Sequence, residues 1–537
     1  MERRKFVRYI GTIGTAFIVA PNLLGCSSSK KRTISTKLIG ANKSRGHLIR
    51  DAKLIPNTDS DVIEIDAIIV GGGISGLSAA YELQKSNHSN FLLFELNDVV
   101  GGNSTSSRNQ YSGFPLGAHY LTLPNPDNRP LIAFLKEYGL ITNEFKNGTQ
   151  EYNEEFLCHA PDERLLYRGL FQEGLVPSYG LSKHVNDEIN RFFSCMNEYK
   201  QMKGNDGLFL FNIPITSASK DKQLLAFDSI SFEKFLNDNH FVTEELRWFL
   251  DYCCRDDFGA GFDKVSAWSG INYFAGRKSN PSNTIPSNVL TWPEGNGYLV
   301  NLLRKPIQTH LKTNYIVSEV VEKDTHALVT VFNCKSNTFE FYKSKKVIIA
   351  TPSYVTKHIL KSPFWKSEDF DNYIHHPWLV TSVVLSSFPE TNGLELAWDN
   401  VKFGTKGLGY IYNQHQEFTQ LKDKYVISVY LAFDKQGAKE ERIKMFSLTE
   451  EEMKELVLTE LKGLHSDIEN YIESMTFQQW GHGMVTPYPK SLEKHYNFSK
   501  KNIQSNIIRL AHTDYSGFSI FEEGFSQGIN AVKSLLI

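Results

Sequence analysis

Six residues constrain this chain more than any others: Gly71-Gly72-Gly73-Ile74-Ser75-Gly76. They follow a β-branched run of strand length, Ile65-Asp66-Ala67-Ile68-Ile69-Val70, and precede Leu77 to Gln84, whose apolar spacing is helical. A G-x-G-x-x-G carries meaning in that strand–turn–helix setting and little outside it. Gly71 permits the tight turn, Gly73 leaves room for a pyrophosphate to approach the backbone, and Gly76 lets helix and strand pack closely. The helix N-terminus offers unpaired N–H groups and a partial positive charge, beside Ile74 and the Ser75 hydroxyl. A second strand, Phe91-Leu92-Leu93-Phe94, ends in Glu95. A carboxylate there accepts hydrogen bonds from ribose hydroxyls and repels a 2′-phosphate. The unit predicts a dinucleotide site.

Segments further along narrow the choice of dinucleotide. Val100-Gly101-Gly102-Asn103-Ser104-Thr105-Ser106 follows Glu95, and Gly117-Ala118-His119-Tyr120 comes soon after. Trp292-Pro293-Glu294-Gly295-Asn296-Gly297, Lys346-Val347-Ile348-Ile349-Ala350-Thr351-Pro352 and Ile507 to Asp514 add three more landmarks, and Glu522-Glu523-Gly524-Phe525-Ser526-Gln527-Gly528 opens a final helix. Together these resemble the flavin amine oxidase superfamily, which includes monoamine and polyamine oxidases, protoporphyrinogen oxidase and phytoene desaturases. The resemblance covers most of Asp61 to Ile537 discontinuously and implies FAD as the cofactor. It further implies that Gly101 and Gly102 form the second glycine motif, and that Gly117, Ala118 and His119 pass beside the flavin ring. Val320 would face the adenine, Ala350 would close over the cofactor, and Asp514 would meet the ribityl chain. The helix starting near Glu523 would aim its N–H groups at the flavin pyrimidine. Asn103 departs from the family, which carries Arg there; Arg108 stands nearby.

The fold class implied is α/β: a Rossmann-like FAD-binding domain of the GR2 type, with an inserted α+β substrate domain. A chain of 537 residues exceeds one ordinary core, which agrees with two domains. Residues 61–125, 285–375 and 500–537 are expected to build the first, and residues 126–284 and 376–499 the second. Leu379 to Leu385 and Tyr425 to Leu431 read as strands of the latter, and Thr449 to Lys462 as a solvated surface helix.

The N-terminus has its own character. Arg3-Arg4-Lys5-Phe6-Val7-Arg8 is a basic region with a twin arginine, Tyr9 to Ala20 is modestly apolar, and Leu23-Leu24-Gly25-Cys26 closes the segment. That run is short for a membrane span and fits a signal-peptide core. It resembles a twin-arginine export signal joined to a bacterial lipoprotein box, with Cys26 as the lipidated residue. Glu2 and Leu24 depart from the usual pattern, and an uncleaved basic-apolar anchor is the alternative. Residues 1–26 are thus expected to be an export signal with a lipobox, and residues 27–60 a flexible tether. The implied location is extracytoplasmic or periplasmic, lipid-anchored to a bacterial membrane. A net charge of -2 leaves no basic field for nucleic acid. Cys158, Cys195, Cys253, Cys254 and Cys334 have no metal spacing and read as buried thiols. No metal is expected, and no oligomeric state is implied.

In the family the isoalloxazine itself accepts the hydride, so few acid–base side chains are needed. Members acting on amines often carry a lysine near the flavin shortly after the Ala-x-Pro motif; Lys357 and His358 both occupy that neighbourhood. Two aromatic rings commonly frame the flavin. The matching segments offer His482 within Trp480-Gly481-His482-Gly483-Met484, and Ile520 or Phe521 within Phe518 to Phe521. His119 and His482 are candidate substrate contacts. The resemblance implies an oxidoreductase acting on an amine or related small substrate, the flavin being reoxidised by oxygen or another acceptor. A lipid-anchored electron relay or assembly factor, or a desaturase of membrane-soluble substrates, are the alternatives.

Overall fold

The computed structural model describes residues 33–40, 42–56, 61–417 and 423–536. One body runs from Ile34 to the C-terminus. The proposed export signal and Cys26 lie outside the described residues.

β-Branched sequences build the first of two large sheets. Val62–Val70 lies between Phe91–Glu95 and Thr338–Ile349, parallel to both, and Leu311–Thr313 extends the parallel set beyond Phe91–Glu95. The strand Thr338–Ile349 is long enough to serve two partners on its other side. Residues 338–344 pair antiparallel with Ala327–Asn333, whereas residues 347–349 pair parallel with Ile508–Leu510. Tyr315–Glu322 continues the antiparallel part. Ile68 and Ile69 are fully buried on opposite faces, as expected of a strand covered on both sides. Each such side chain contributes roughly 1.5–3 kcal/mol by leaving water. The helices Ile74–Lys85 and Phe521–Leu536 pack together on one face.

The second sheet runs Ser35–Gly40, Ile472–Val485, His375–Leu385, Tyr425–Ala432, Tyr410–Tyr412, Asp399–Lys402, Glu163–Tyr167 and Leu170–Glu173. Every residue of His375–Leu385 is buried. Its two-residue period sends Trp378 and Val380 toward a helical layer that includes Lys183–Gln201, Glu244–Phe258 and Ala267–Ala275. Leu379, Val383 and Leu385 face an opposite core with Glu450–Leu464. That last helix is capped by Thr449 and Glu452. It is not simply a solvated surface helix, because Met453, Val457, Leu458, Leu461 and Leu464 bury one stripe.

The expected tether is also corrected. Residues 35–40 form a strand parallel to Ile472–Val485, and Lys43–Arg50 forms a helix. The Arg45 guanidinium donates to the Leu96 carbonyl and the Asn314 side chain, fastening this segment to the first sheet. A polar composition suggested a loose chain, but an edge strand needs backbone partners more than apolar side chains. Among the described residues all five cysteines are free, with Cys158, Cys253 and Cys254 buried. No helix among the described residues is long and apolar enough to cross a membrane, and no cluster of His, Cys, Asp or Glu there suits a metal.

Candidate functional site

A cavity of about 870 Å³ opens where the strands Val62–Val70, Phe91–Glu95 and Thr338–Ile349 end. Ligands collect at such strand ends because the loops beyond them are free to shape a crevice. Gly71, Gly73, Ile74 and Ser75 line it, with Glu95, Gly101, Gly102, Asn103, Ala118, Ala350 and Asp514. The two glycine motifs touch, since the Gly101 N–H donates to the Gly72 carbonyl at 2.7 Å. Gly76 stands outside the cavity and has a packing role: a Cβ there would lie 1.9 Å from the Gly71 carbonyl oxygen. Gly73 is the reverse case, with no atom within 4 Å of a would-be Cβ. Its backbone faces open space, the cradle a diphosphate requires.

Glu95 is nearly buried and its two oxygens accept the Gly72 and Asn97 amides at 2.7 and 2.8 Å. Each oxygen keeps a lone pair for a ribose hydroxyl. Burial pushes this carboxyl up, and the amides oppose the shift. Asp514, at the other end, is 1% exposed. Burial alone would raise its pKa, but His375 and His512 hold it well below the usual carboxylate range. It also accepts the Ser353 amide at 2.7 Å. Ile520, Phe521 and Gly524 bring the start of the last helix to the cavity wall, where first-turn N–H groups have no intrahelical acceptor. The donor set therefore fits FAD: a glycine cradle for the diphosphate, a carboxylate for the ribose, and a helix N-terminus for the electron-rich ring edge.

Two expected contacts, Val320 and Lys357, lie elsewhere. Val320 is fully buried in the sheet core, paired with Val329 and Leu360; Tyr315, Ile316 and Val317 line the cavity in its place. The pairing is irregular between Val317 and Glu319, a shift that sequence spacing does not reveal. The Glu523 side chain accepts the Ile215 amide, so at this position only the backbone N–H groups of the helix start are available to the cavity. Lys357 is tied to Asp371 at 2.5 Å and lines neither cavity. His358 does line the larger one, on a helix packed against Lys43–Arg50 and Tyr315–Glu322.

A smaller cavity, about 110 Å³, adjoins the first and shares Asn103, Ala118, Trp480, Gly483 and residues 519–521 with it. The same-face residues of three neighbouring strands, Trp378, Tyr430 and Trp480, form an aromatic wall. Gly117 and His119 line this cavity; burial holds the His119 imidazole neutral, its pKa lowered to about 3. His119 packs on Tyr430 and Trp398, which fixes its ring in the cavity wall. His482 stacks on Tyr354 in the larger cavity, its pKa likewise lowered by burial. Both segments expected to frame a flavin thus meet at the junction, with Trp480 and Phe521 supplying the rings. Asn103, replacing the family's Arg, donates across the junction to the Gly483 carbonyl.

Sequence reading missed the charged residues of the smaller cavity: Asp256, Asp257, Arg277 and Glu522. The signal was present in Arg255-Asp256-Asp257-Phe258-Gly259, two acids in the last turn of a helix, where the macrodipole disfavours them. Gly259 ends that helix with φ +69°, and a Cβ there would meet Trp378 Nε1 at 2.9 Å.

Residues 74–536 match the family described as flavin containing amine oxidoreductase. An L-amino acid oxidase of Cerastes cerastes is 40% identical over 83 residues, covering 16% of each chain. Amine oxidase A of Equus caballus is 32% identical over 107 residues, covering 20% of this chain and 19% of its own. The match thus spans less than a fifth of either relative's length. Wild-type putrescine oxidase bound to putrescine superposes with a TM-score of 0.65 at 16% identity, covering 89% of this chain and all of that one. At that identity the likeness is one of fold.

Proposed function

The chain belongs to the flavin containing amine oxidoreductases, and from that premise we propose that it oxidises an amine held in the smaller cavity. FAD is its cofactor. The observation carrying the proposal is the junction of the two cavities, which presents a small, aromatic-walled pocket to the dinucleotide site. FAD held there would supply the acceptor for a hydride from the substrate carbon, with oxygen or another acceptor as the final oxidant.

The protein's own residues bind, orient and exclude water. Gly71, Gly73, Gly101 and Gly102 would cradle the diphosphate, Glu95 the ribose, and the helix beginning at Phe521 the ring edge. Trp480 and Phe521 line both cavities, and Trp378 and Tyr430 line the smaller one beside Trp480. Aromatic faces attract an ammonium group and remain compatible with the neutral amine that gives up hydride. A pocket with four charged side chains suits a polar substrate and poorly suits a membrane-soluble hydrocarbon. An electron relay needs no such pocket.

The proposal extends to location: an exported protein, lipid-anchored through Cys26 on the extracytoplasmic side of a bacterial membrane. The basic twin-arginine region and Leu23-Leu24-Gly25-Cys26 support it. Cys26→Ala should release the protein from membranes; retention would favour an apolar anchor. The activity is tested with holoprotein, a series of amines and a dye acceptor. Carbonyl product and reduced dye in equal amounts are expected, and no carbonyl from any amine overturns the reading.

A further inference from the structure

We infer that Asp256 takes the proton from the substrate's ammonium group in the smaller cavity, leaving the neutral amine whose carbon gives up hydride. This rests on the amine reading above and assigns a catalytic residue to its first step.

Three acids line the cavity, Asp256, Asp257 and Glu522, and two of them are committed. Asp257 pairs with Arg277 at 3.0 Å, and Glu522 accepts the Thr122 hydroxyl. Asp256 has neither hydrogen bond nor ion pair among the described residues. Its charge reaches the hydroxyls of Tyr120 and Tyr430, which line the same cavity. A carboxylate open to the cavity and free of partners can accept a proton from whatever enters.

Its surroundings favour the protonated acid. Asp256 stands in the last turn of the helix Glu244–Phe258, at the negative pole. Glu163 and Asp399, register partners on adjoining strands, add like charge, and Asp399 accepts the Tyr252 hydroxyl at 3.2 Å. Burial, then Asp257 and Glu163, push the pKa of Asp256 up to about 7, with Arg277 and Arg255 opposing the shift. Burial lowers His119, in the same cavity, to about 3, so of the two a proton settles on Asp256.

In the transfer one N–H bond of the ammonium breaks, its electron pair stays on nitrogen, and the proton forms an O–H bond on Asp256. No electron leaves the substrate in this step. Two opposite charges become two neutral groups. A wall that includes Trp378, Tyr430 and Trp480 favours that outcome, because desolvation raises a carboxyl and lowers an ammonium. The lone pair so released can form the C=N bond as hydride departs; an ammonium has none to give.

The test follows anaerobic flavin reduction in holoprotein by one primary amine from about pH 6 to about pH 10, for wild type, Asp256→Asn and Asp256→Glu. The second-order rate of wild type should be level from about pH 7, where Asp256 ionises, to about pH 10, where a free alkylammonium does. Across that range the amine and the acid begin with one proton between them and keep it. Below it the rate should fall about tenfold per pH unit, because Asp256 already holds a proton. Asp256→Asn must draw neutral amine from solution, so its rate should climb about tenfold per unit over the whole range. Asp256→Glu should restore the level stretch, and unchanged flavin content shows that each variant folds. Calorimetry with an amine that binds without reducing the flavin counts protons: wild type should release none to the buffer across the level range, and Asp256→Asn one. A climbing rate in wild type, parallel profiles in wild type and Asp256→Asn, or equal proton release would each overturn the inference. Reduction with parallel profiles would sink the role of Asp256 alone, whereas flavin reduced by no amine at any pH would sink the amine reading beneath it.

Discussion

Asp514 Oδ1 and His375 Nε2 meet at 2.7 Å in the wall of the cofactor cavity, with 1% and 5% of their side chains exposed. The pair joins the two sheets, since His375 begins the central strand of one and Asp514 follows the strand Ile508–Leu510 of the other. The Ser353 amide and His512 complete the carboxylate's surroundings. A carboxylate whose folded pKa is depressed stabilises the fold above its unfolded value, near 3.9, and that contribution fades as pH falls through the folded value. Asp514→Asn should therefore cost about 2–4 kcal/mol near neutrality, with the difference from wild type shrinking in acid. Thermal unfolding across pH checks this; a pH-independent difference would contradict it.

The turn glycines should separate folding from cofactor binding. Gly76→Glu places side chain within 1.9 Å of backbone and should prevent the turn from forming. At Gly73 a Cβ meets no atom within 4 Å, so Gly73→Trp starts from open space and directs its ring into the cavity that the glycine lines. The first should yield unfolded or aggregated protein, the second a folded protein without flavin absorbance. Absorbance and circular dichroism, read together, decide the matter.

The segment from residue 35 to 50 should hold cofactor. Lys43, Gly46, His47, Ile49 and Arg50 line the larger cavity, and Arg45 fixes the segment to Leu96 and Asn314. Its cations face the cavity where Asn103 has replaced an arginine. Removing residues 1–56 should weaken FAD binding by about 10-fold or more while the sheets persist, the worth of one or two charge-assisted contacts. Apoprotein titrated with FAD, followed by flavin fluorescence quenching, measures it. An unchanged affinity would make the segment a mere edge strand.

The glycine motifs, Glu95 and the last helix were legible because strand–turn–helix units announce themselves locally in residue type and spacing. The lining by Tyr315, Ile316 and Val317 in place of Val320 was not, because which residues of that strand reach the cavity depends on its pairing in the sheet, where Val320 is buried against Val329 and Leu360. Lys357 was misplaced because a helix residue's direction depends on its partner, here Asp371. The smaller cavity is assembled from residues as far apart as Tyr120 and Glu522, joined only by sheet pairing and the helical layer. Asp256 and Asp257 were visible as a pair, but the burial of Asp257 and the place of both in a cavity wall were not.

Buried acids give the protein a second pH dependence, of opposite sign to that of Asp514. Glu523, Glu163 and Asp256 each have a pKa raised to about 7 by burial. A raised carboxyl contributes stability fully present below its unfolded value, lost as pH rises through the folded value. Glu523→Gln should therefore gain stability relative to wild type between about pH 5 and about pH 8. Tm against pH for both proteins measures it, and parallel curves would contradict the assignment.

The central claim is that this chain binds FAD and reduces it with an amine. The measurement is an anaerobic titration of purified, yellow holoprotein with amines, following the flavin absorbance. Loss of the absorbance on adding an amine, and its return on admitting oxygen or another acceptor, is the predicted result. A correctly folded protein that carries no flavin, or whose flavin keeps its colour with every amine tried, would contradict it.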